Sequence, residues 1–386
     1  MNFKPLFFLF MAGALAFAAG CRQPVEPFNQ ASLPGETVYF VPNNKKMIAL
    51  TFDDGPNGAA TEQILNVLHE RKTPATFFVI GANAERFPKI MKRMVAEGHL
   101  VGNHTCRHPR FDQITTVEME KDIADGSRAI ETAAGLRPLW FRPPFGINGV
   151  GLEMVGRQQG LVIAGWSLDA NDWNPHPVDE LVDTIVSRAT PGDIILLHDG
   201  WETRPDADRH LTVAAVPLIV DKLKATGFVF VTLPELLRNA GAPLAVFENG
   251  IRLLGMQIPE KPVFPGGWFG ARYFWDVPEN FTGNRPSAFV HFMKEGSKYF
   301  FQDDHSVPPR GDMRDRVFHS VVHVPKNAPA GKYKMEFGLF PLAKPEAKDR
   351  LKVRSDFPQA RRAVYLPVKL EVAPEQAERP QGKNAR

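Results

Sequence analysis

Met47-Ile48-Ala49-Leu50-Thr51-Phe52-Asp53-Asp54-Gly55-Pro56 is an apolar run that ends on two adjacent carboxylates and a Gly-Pro breaker. The run predicts a strand over 47–52, and the pattern that follows predicts an amphipathic helix over Thr61–Arg71. Adjacent carboxylates repel one another, so a strand end seldom carries two without a cation. Neighbouring side chains on an extended segment diverge, which lets one bind a metal while the other acts as a base. Taken alone, the stretch reads more readily as an Asp-Asp-Gly-Pro turn.

Outward from this stretch the strand–helix unit recurs. Strands are predicted at Ala75–Ile80, Leu100–Asn103, Leu139–Arg142, Leu161–Trp166, Asp193–Leu197 and Phe228–Val231. Helices are predicted at Ala84–Glu97, Val117–Ala134, Val178–Ala189 and Thr212–Ala225. Such alternation implies a parallel sheet with helical crossovers, and seven repeats are nearly enough for a closed (β/α) barrel, assigned to residues 41–242. Beyond Gly241 the helical periods vanish. Short aromatic and β-branched runs replace them, among them Ile251–Met256, Trp268–Trp275, Val317–Val324 and Ala363–Val372. This is the signature of an all-β, immunoglobulin-like sandwich, assigned to 243–373, with a polar tail over 374–386.

The 386 residues, 44% hydrophobic and 23% charged, suffice for two domains with full-sized cores. A formal charge of +3 gives no reason to propose nucleic acid as a partner. Residues 1–20 carry one cation, Lys4, then an apolar run from Leu6 to Ala19, the pattern of a secretory signal peptide. Ala18-Ala19-Gly20-Cys21 resembles the lipobox of bacterial lipoproteins, with Ala18 where Leu is usual. Ordinary cleavage near Ala16 or Ala18 is the alternative. The position of Cys21, one of only two cysteines, favours lipidation. Residues 21–40 then read as a lipidated tether, and the expected address is the bacterial envelope: periplasmic side, at the outer membrane if there is one, because Arg22 rather than Asp follows the cysteine.

Four further clusters follow predicted strands. His104-Thr105-Cys106-Arg107-His108 places two histidines four apart, able to share a metal from one helical turn, although Pro109 makes that turn brief or irregular. Phe141-Arg142-Pro143-Pro144-Phe145-Gly146 offers an arginine that can grip a carboxylate, a stiff loop, and a Phe145 backbone N–H suited to a developing oxyanion. Trp166-Ser167-Leu168-Asp169-Ala170-Asn171-Asp172-Trp173 reads alternatively as core tryptophans with an Asx-type cap, Asp172 above all. Ile194-Ile195-Leu196-Leu197-His198-Asp199-Gly200 ends a buried strand on a histidine that by itself would be structural. Each bland reading stands singly. Jointly they fail, because all five clusters follow the C-terminal ends of strands, where barrel enzymes build their sites.

These five segments resemble the motifs of the NodB-like polysaccharide deacetylases, carbohydrate esterase family four, over roughly residues 45–240. The resemblance implies a distorted (β/α)7 barrel, a divalent metal (usually Zn2+) and removal of N-acetyl groups from N-acetylhexosamine polymers. It implies Asp53 as general base, with Arg142 orienting it; Asp54, His104 and His108 as metal ligands; His198 as general acid; and Asp169 as the residue that tunes that acid. Pro143, Pro144, Phe145 and Trp173 are the candidate substrate contacts. Two positions depart from the family: Phe145 replaces a usual Tyr, and Cys106 replaces a frequent aromatic. An O-acetyl esterase or cyclic-amide hydrolase on the same barrel, or an inactive glycan-binding protein, is the rival expectation. The second half, with Gly250-Ile251-Arg252-Leu253-Leu254-Gly255 and Phe301-Gln302-Asp303-Asp304-His305, resembles an accessory β-sandwich module of bacterial envelope proteins. Asp303, Asp304 and His305 can be read as a second metal site or, more readily, as a solvated turn. Since all five motifs lie in the first half, residues 36–242 are expected to fold and act alone.

Overall fold

A computed structural model describes residues 34–259, 262–278, 281, 284–297, 300–308, 317–340, 350–355, 359–360 and 363–374. The signal-peptide, Cys21 and tail assignments lie outside these residues, apart from the first position of the tail.

The first half contains strands β1 (Thr37–Val38), β2 (Met47–Asp53), β3 (Thr76–Val79), β4 (Leu100–Asn103), β5 (Trp140–Phe141), β6 (Val162–Ala164), β7 (Leu168–Asp169), β8 (Ile194–His198) and β9 (Val229–Phe230). Helices α1 (Gly58–Glu70), α2 (Gly81–Arg86), α3 (Pro88–Ala96), α4 (Thr116–Ala134), α5 (Leu152–Gln159), α6 (Val178–Val186), α7 (His210–Ala225) and α8 (Leu233–Arg238) alternate with them. The strands form one parallel sheet in the order β1-β6-β5-β4-β3-β2-β8-β7, with β9 beside the start of β2. The final predicted strand therefore does not occupy its own place in the circuit. The unbroken stretch Val162–Asp169 does the closing instead: it begins as β6 beside β5, and after Gly165–Ser167 it ends as β7 beside β8, so the sheet curls back towards its own start.

Local chemistry explains the helix limits. Thr115 and Glu118 form a reciprocal capping box at the start of α4, and Gly135 ends it with a left-handed φ of 75°. The single helix expected over Ala84–Glu97 is two, because Pro88 takes the first position of α3 and Phe87 turns the chain. The expected tether also ends early: Thr37–Val38 pair with β6, and Tyr39 and Phe40 are buried.

The second half is antiparallel. Its strands are β10 (Ala245–Phe247), β11 (Arg252–Gln257), β12 (Trp268–Asp276), β13 (Ser287–Lys294), β14 (Phe300–Gln302), β15 (His305–Ser306), β16 (Val317–His323), β17 (Gly331–Phe340), β18 (Val353–Arg354), β19 (Gln359–Ala360) and β20 (Ala363–Val372). One sheet runs β16-β12-β11-β10-β18, the other β14-β13-β17-β20-β19, with β15 on β13. Inward residues of both, such as Tyr273, Trp275, Phe292 and Phe337, form a common core. This half is also fixed to the first. Phe40 stacks on Phe274 at 3.9 Å, and the Tyr39 hydroxyl donates to the Trp275 carbonyl.

Candidate active site

Register brings the motifs together. Asp53, at the end of β2, lies opposite His198 at the end of β8. The two carboxylates diverge as expected. Asp53 Oδ1 accepts from Arg142 Nη1 at 2.7 Å, and the same nitrogen donates to Thr51 Oγ1 at 2.8 Å. Arg142 is fully buried; its Nη2 donates to Gly165 O at 2.7 Å and its Nε to Ala164 O at 3.3 Å. Asp54 leaves the strand with φ of 73°, which turns its carboxylate the other way. The sharp turn needs Gly55, where a Cβ would lie 2.1 Å from Asp199 Oδ2.

His104 and His108 meet without the helical turn expected of them. Thr105 (φ 69°) and His108 (φ 61°) adopt left-handed conformations that pure helix forbids, and a β-branched residue does so only when surroundings compel it. The compulsion is visible. Asn103 Oδ1 accepts from Thr105 N at 2.7 Å, and buried Asp122 Oδ1 accepts from the amides of Cys106 (2.8 Å) and Arg107 (3.0 Å). The Arg142 carbonyl lies 2.7 Å from His104 Nδ1; a carbonyl only accepts, so Nδ1 carries the proton and Nε2 faces Asp54. Asp54 Oδ1 lies 3.5 Å from His104 Nε2 and 3.2 Å from His108 Nε2. Burial pushes the Asp54 carboxyl up, but His104 and His108 outweigh it and hold it well below the usual carboxylate range.

These residues fit a cation. One ligand atom from each of Asp54, His104 and His108 lies within 4.8 Å of the others, the one such group among the described residues. Asp54 Oδ1 is buried and makes no well-directed hydrogen bond despite its two close imidazoles, as expected of atoms aimed at a common centre.

The acid-side pairing corrects one expectation. The carboxylate on His198 is that of Asp172, 2.8 Å from Nδ1, rather than that of Asp169. Asp169 ends β7, and its carboxylate accepts from Asn171 N at 2.7 Å; Asn171 then turns with φ of 54° and delivers Asp172 beneath the histidine. Burial alone would lower the His198 pKa, but Asp172, then Asp54 and Asp53, raise it to about 9. Asp172 is itself held by Thr212 Oγ1 at 2.7 Å and by the His198 amide at 2.9 Å.

Pro143 and Pro144 are buried and stiffen a one-turn 3₁₀ segment, within which Phe145 takes φ of 59°. The Phe145 ring meets His108 edge-on at 4.6 Å, so the loop packs directly against the histidine pair. Trp173 is 44% exposed. Cys106 is half-buried, and burial pushes its thiol up. Sequence reasoning missed Asp122. Its signal was a carboxylate in the apolar stripe Met119, Ile123, Gly126 and Ile130 of α4. Asp303, Asp304 and His305 do not converge on a cation. Asp303 binds the Tyr273 and Ser320 hydroxyls at 2.6 and 2.5 Å, Asp304 accepts from Val290 N, and His305 Nδ1 meets Asp303 O.

A family model for polysaccharide deacetylases matches residues 40–163. The chain is 41% identical over 219 residues to a peptidoglycan-N-acetylglucosamine deacetylase of Bacillus cereus, covering 56% of this chain and 97% of that one. It is 40% identical over 196 residues to a chitooligosaccharide deacetylase of Sinorhizobium fredii, covering 49% and 90%. A crystal structure of a peptidoglycan N-acetylglucosamine deacetylase superposes with a TM-score of 0.49 and 34% identity, covering 53% of this chain and 94% of that one. An identity of 41% sustained along nearly all of a relative goes with the motifs at the strand ends, and the chain accordingly belongs to the polysaccharide deacetylases of carbohydrate esterase family four.

Proposed function

We propose that this deacetylase removes N-acetyl groups from an N-acetylhexosamine glycan of the bacterial cell envelope and releases acetate. The observation that carries the reading is the presence of two anchored groups, Asp53 on Arg142 and His198 on Asp172, beside one Asp-His-His cluster. Glycan binding alone has no use for an acid–base pair.

Asp54, His104 and His108 are the residues to hold a divalent cation, and a carboxylate with two imidazoles suits Zn2+. Such a cation, when bound, supplies Lewis-acid polarisation of the acetyl carbonyl and a lowered water pKa. Asp53, fixed by Arg142, takes the proton of the attacking water. The Phe145 backbone N–H stabilises the carbonyl oxygen as it gains charge. His198, kept charged by Asp172, gives its proton to the nitrogen as the C–N bond breaks, so acetate and a free amine depart. The exposed Trp173 indole offers a face to a sugar ring. In fold terms the curled sheet is a distorted (β/α)7 barrel, and the second half is an immunoglobulin-like sandwich. Cys21 carries the lipid that anchors the protein to the membrane, and N-acetylated polysaccharide or oligosaccharide is its partner.

Acetate release tests the reading. The purified zinc-loaded chain is expected to act on N-acetylglucosamine oligomers or peptidoglycan. Release from acetylated xylan alone would replace the reading with an O-acetyl esterase, and no release from any of these would overturn it.

A further inference from the structure

The stretch Ala164–Ser167, where the sheet turns from β6 into β7, is gripped by two arginines from different halves of the chain. Arg142 holds the carbonyls of Ala164 and Gly165, and its remaining edge holds Asp53. Arg272, on β12 of the antiparallel half, donates from Nη1 to the carbonyl of Ser167 at 3.0 Å. Its Nη2 donates to the Arg188 carbonyl and to Asp193 Oδ2, the latter at 3.2 Å, and its Nε donates to Gln257 Oε1 at 2.7 Å. Arg272 is 4% exposed, and Asp193, at the foot of β8, is fully buried. Asp193 in turn accepts from Ser167 Oγ at 2.6 Å, and Ser167 Oγ accepts from Ile194 N at 3.1 Å. Hydrogen bonds from Arg272 and from Arg142 therefore meet on one four-residue stretch of backbone, Ala164–Ser167, whose far side is the guanidinium that holds Asp53.

We infer that Arg272 is a positioning residue for deacetylation: the antiparallel half sets the Ala164–Ser167 turn, and through it the orientation of Arg142 and Asp53. A planar guanidinium can meet two carbonyls, a carboxylate and an amide oxygen at once; an ammonium cannot. This rests on the deacetylase reading, in which Asp53 is the base. It assigns the second half a part in turnover rather than in glycan capture.

The test compares full-length zinc-loaded wild type with Arg272→Lys and Leu254→Ala. Arg272→Lys keeps a cation opposite Asp193, which protects folding, but loses the fork. Leu254→Ala loosens the same junction, in the cluster of Tyr39, Phe40 and Phe274, and leaves the Phe274 ring that lies over the Arg272 guanidinium in place. Arg272→Lys is expected to lower kcat about tenfold, as a small misplacement of a catalytic group does, with KM within about twofold and zinc content unchanged. Hydrogen exchange of the 162–169 segment should quicken in Arg272→Lys and not in Leu254→Ala, whose kcat should stay at the wild-type value. Wild-type kcat and wild-type exchange in Arg272→Lys would overturn the inference. So would an equal loss of kcat in Leu254→Ala, which would mark a general loosening of the junction. An inactive wild type would instead sink the deacetylase reading, and the exchange comparison would still decide whether Arg272 sets the turn.

Discussion

Asp172 grips His198 twice: Oδ1 lies 2.8 Å from the ring Nδ1, and Oδ2 accepts the residue's own backbone N–H at 2.9 Å. One carboxylate thus orients the ring and, ahead of Asp54 and Asp53, keeps it charged against the effect of burial. The His198 pKa is raised to about 9 from an ordinary 6.5, so the charged form persists through neutral pH and is lost as pH climbs through about 9. Activity should fall along an alkaline limb. With Asp54 committed to a cation, part of the carboxylate field is cancelled, and the limb of the loaded enzyme should lie somewhat below 9. Asp172→Asn should move that limb down by about one unit or more. An unmoved limb in a kcat/KM profile would remove His198 as the acid. The stabilising contribution of the pair follows the same sign, full below the ordinary histidine pKa and lost as pH rises through about 9.

Asp53→Asn and Asp54→Ala separate two roles of adjacent carboxylates. Asp53→Asn should keep its metal and lose about 10²–10⁴ in kcat. Asp54→Ala and His104→Ala should lose the metal together with activity, and chelation of the wild type should reproduce them. Metal content by mass spectrometry alongside acetate release checks this, and near-wild-type turnover in Asp53→Asn would refute the base assignment.

The motif positions were legible because strand ends are. β4 appears at the predicted residues, and Asp53, Arg142 and His198 converge because each closes or follows a strand. What pattern could not show is backbone forced from outside. Asp54, Thr105, His108, Phe145 and Asn171 all have positive φ, each held by distant partners or a tight turn, and no periodicity announces that. The resemblance implies Asp169 as the residue that tunes the acid, whereas the turn at Asn171 brings the carboxylate of Asp172 back to the histidine. Strands of two residues, such as β1 and β7, are too short to show a period, so Tyr39 and Phe40 passed for tether.

The expectation that residues 36–242 act alone now carries a specific cost. Truncation removes Arg272 from buried Asp193 and uncovers the Phe40 ring that stacks on Phe274. The fragment should aggregate or melt well below the full chain. Phe40→Ala in the full chain should lose about 3–5 kcal/mol. Thermal melts of the three proteins check this, and a fragment as stable as the whole would show that the junction contributes little.

Cys21→Ala should move the protein from the membrane fraction to the soluble one. Equal partitioning of variant and wild type would rule out the lipid anchor.

The turn from β6 into β7 has a consequence for the girth of the curled sheet. Most neighbouring strands are held at the fixed spacing of ladder hydrogen bonds, whereas this junction is spanned by Gly165–Ser167, three residues of chain. The girth of the curled sheet there is counted in peptide units. One inserted residue could add at most about 3.5 Å to the circumference, and one deleted could subtract as much. Because Arg142 holds the Ala164 and Gly165 carbonyls with one edge and Asp53 with another, the girth of the sheet and the placement of its base are set by one short stretch of backbone.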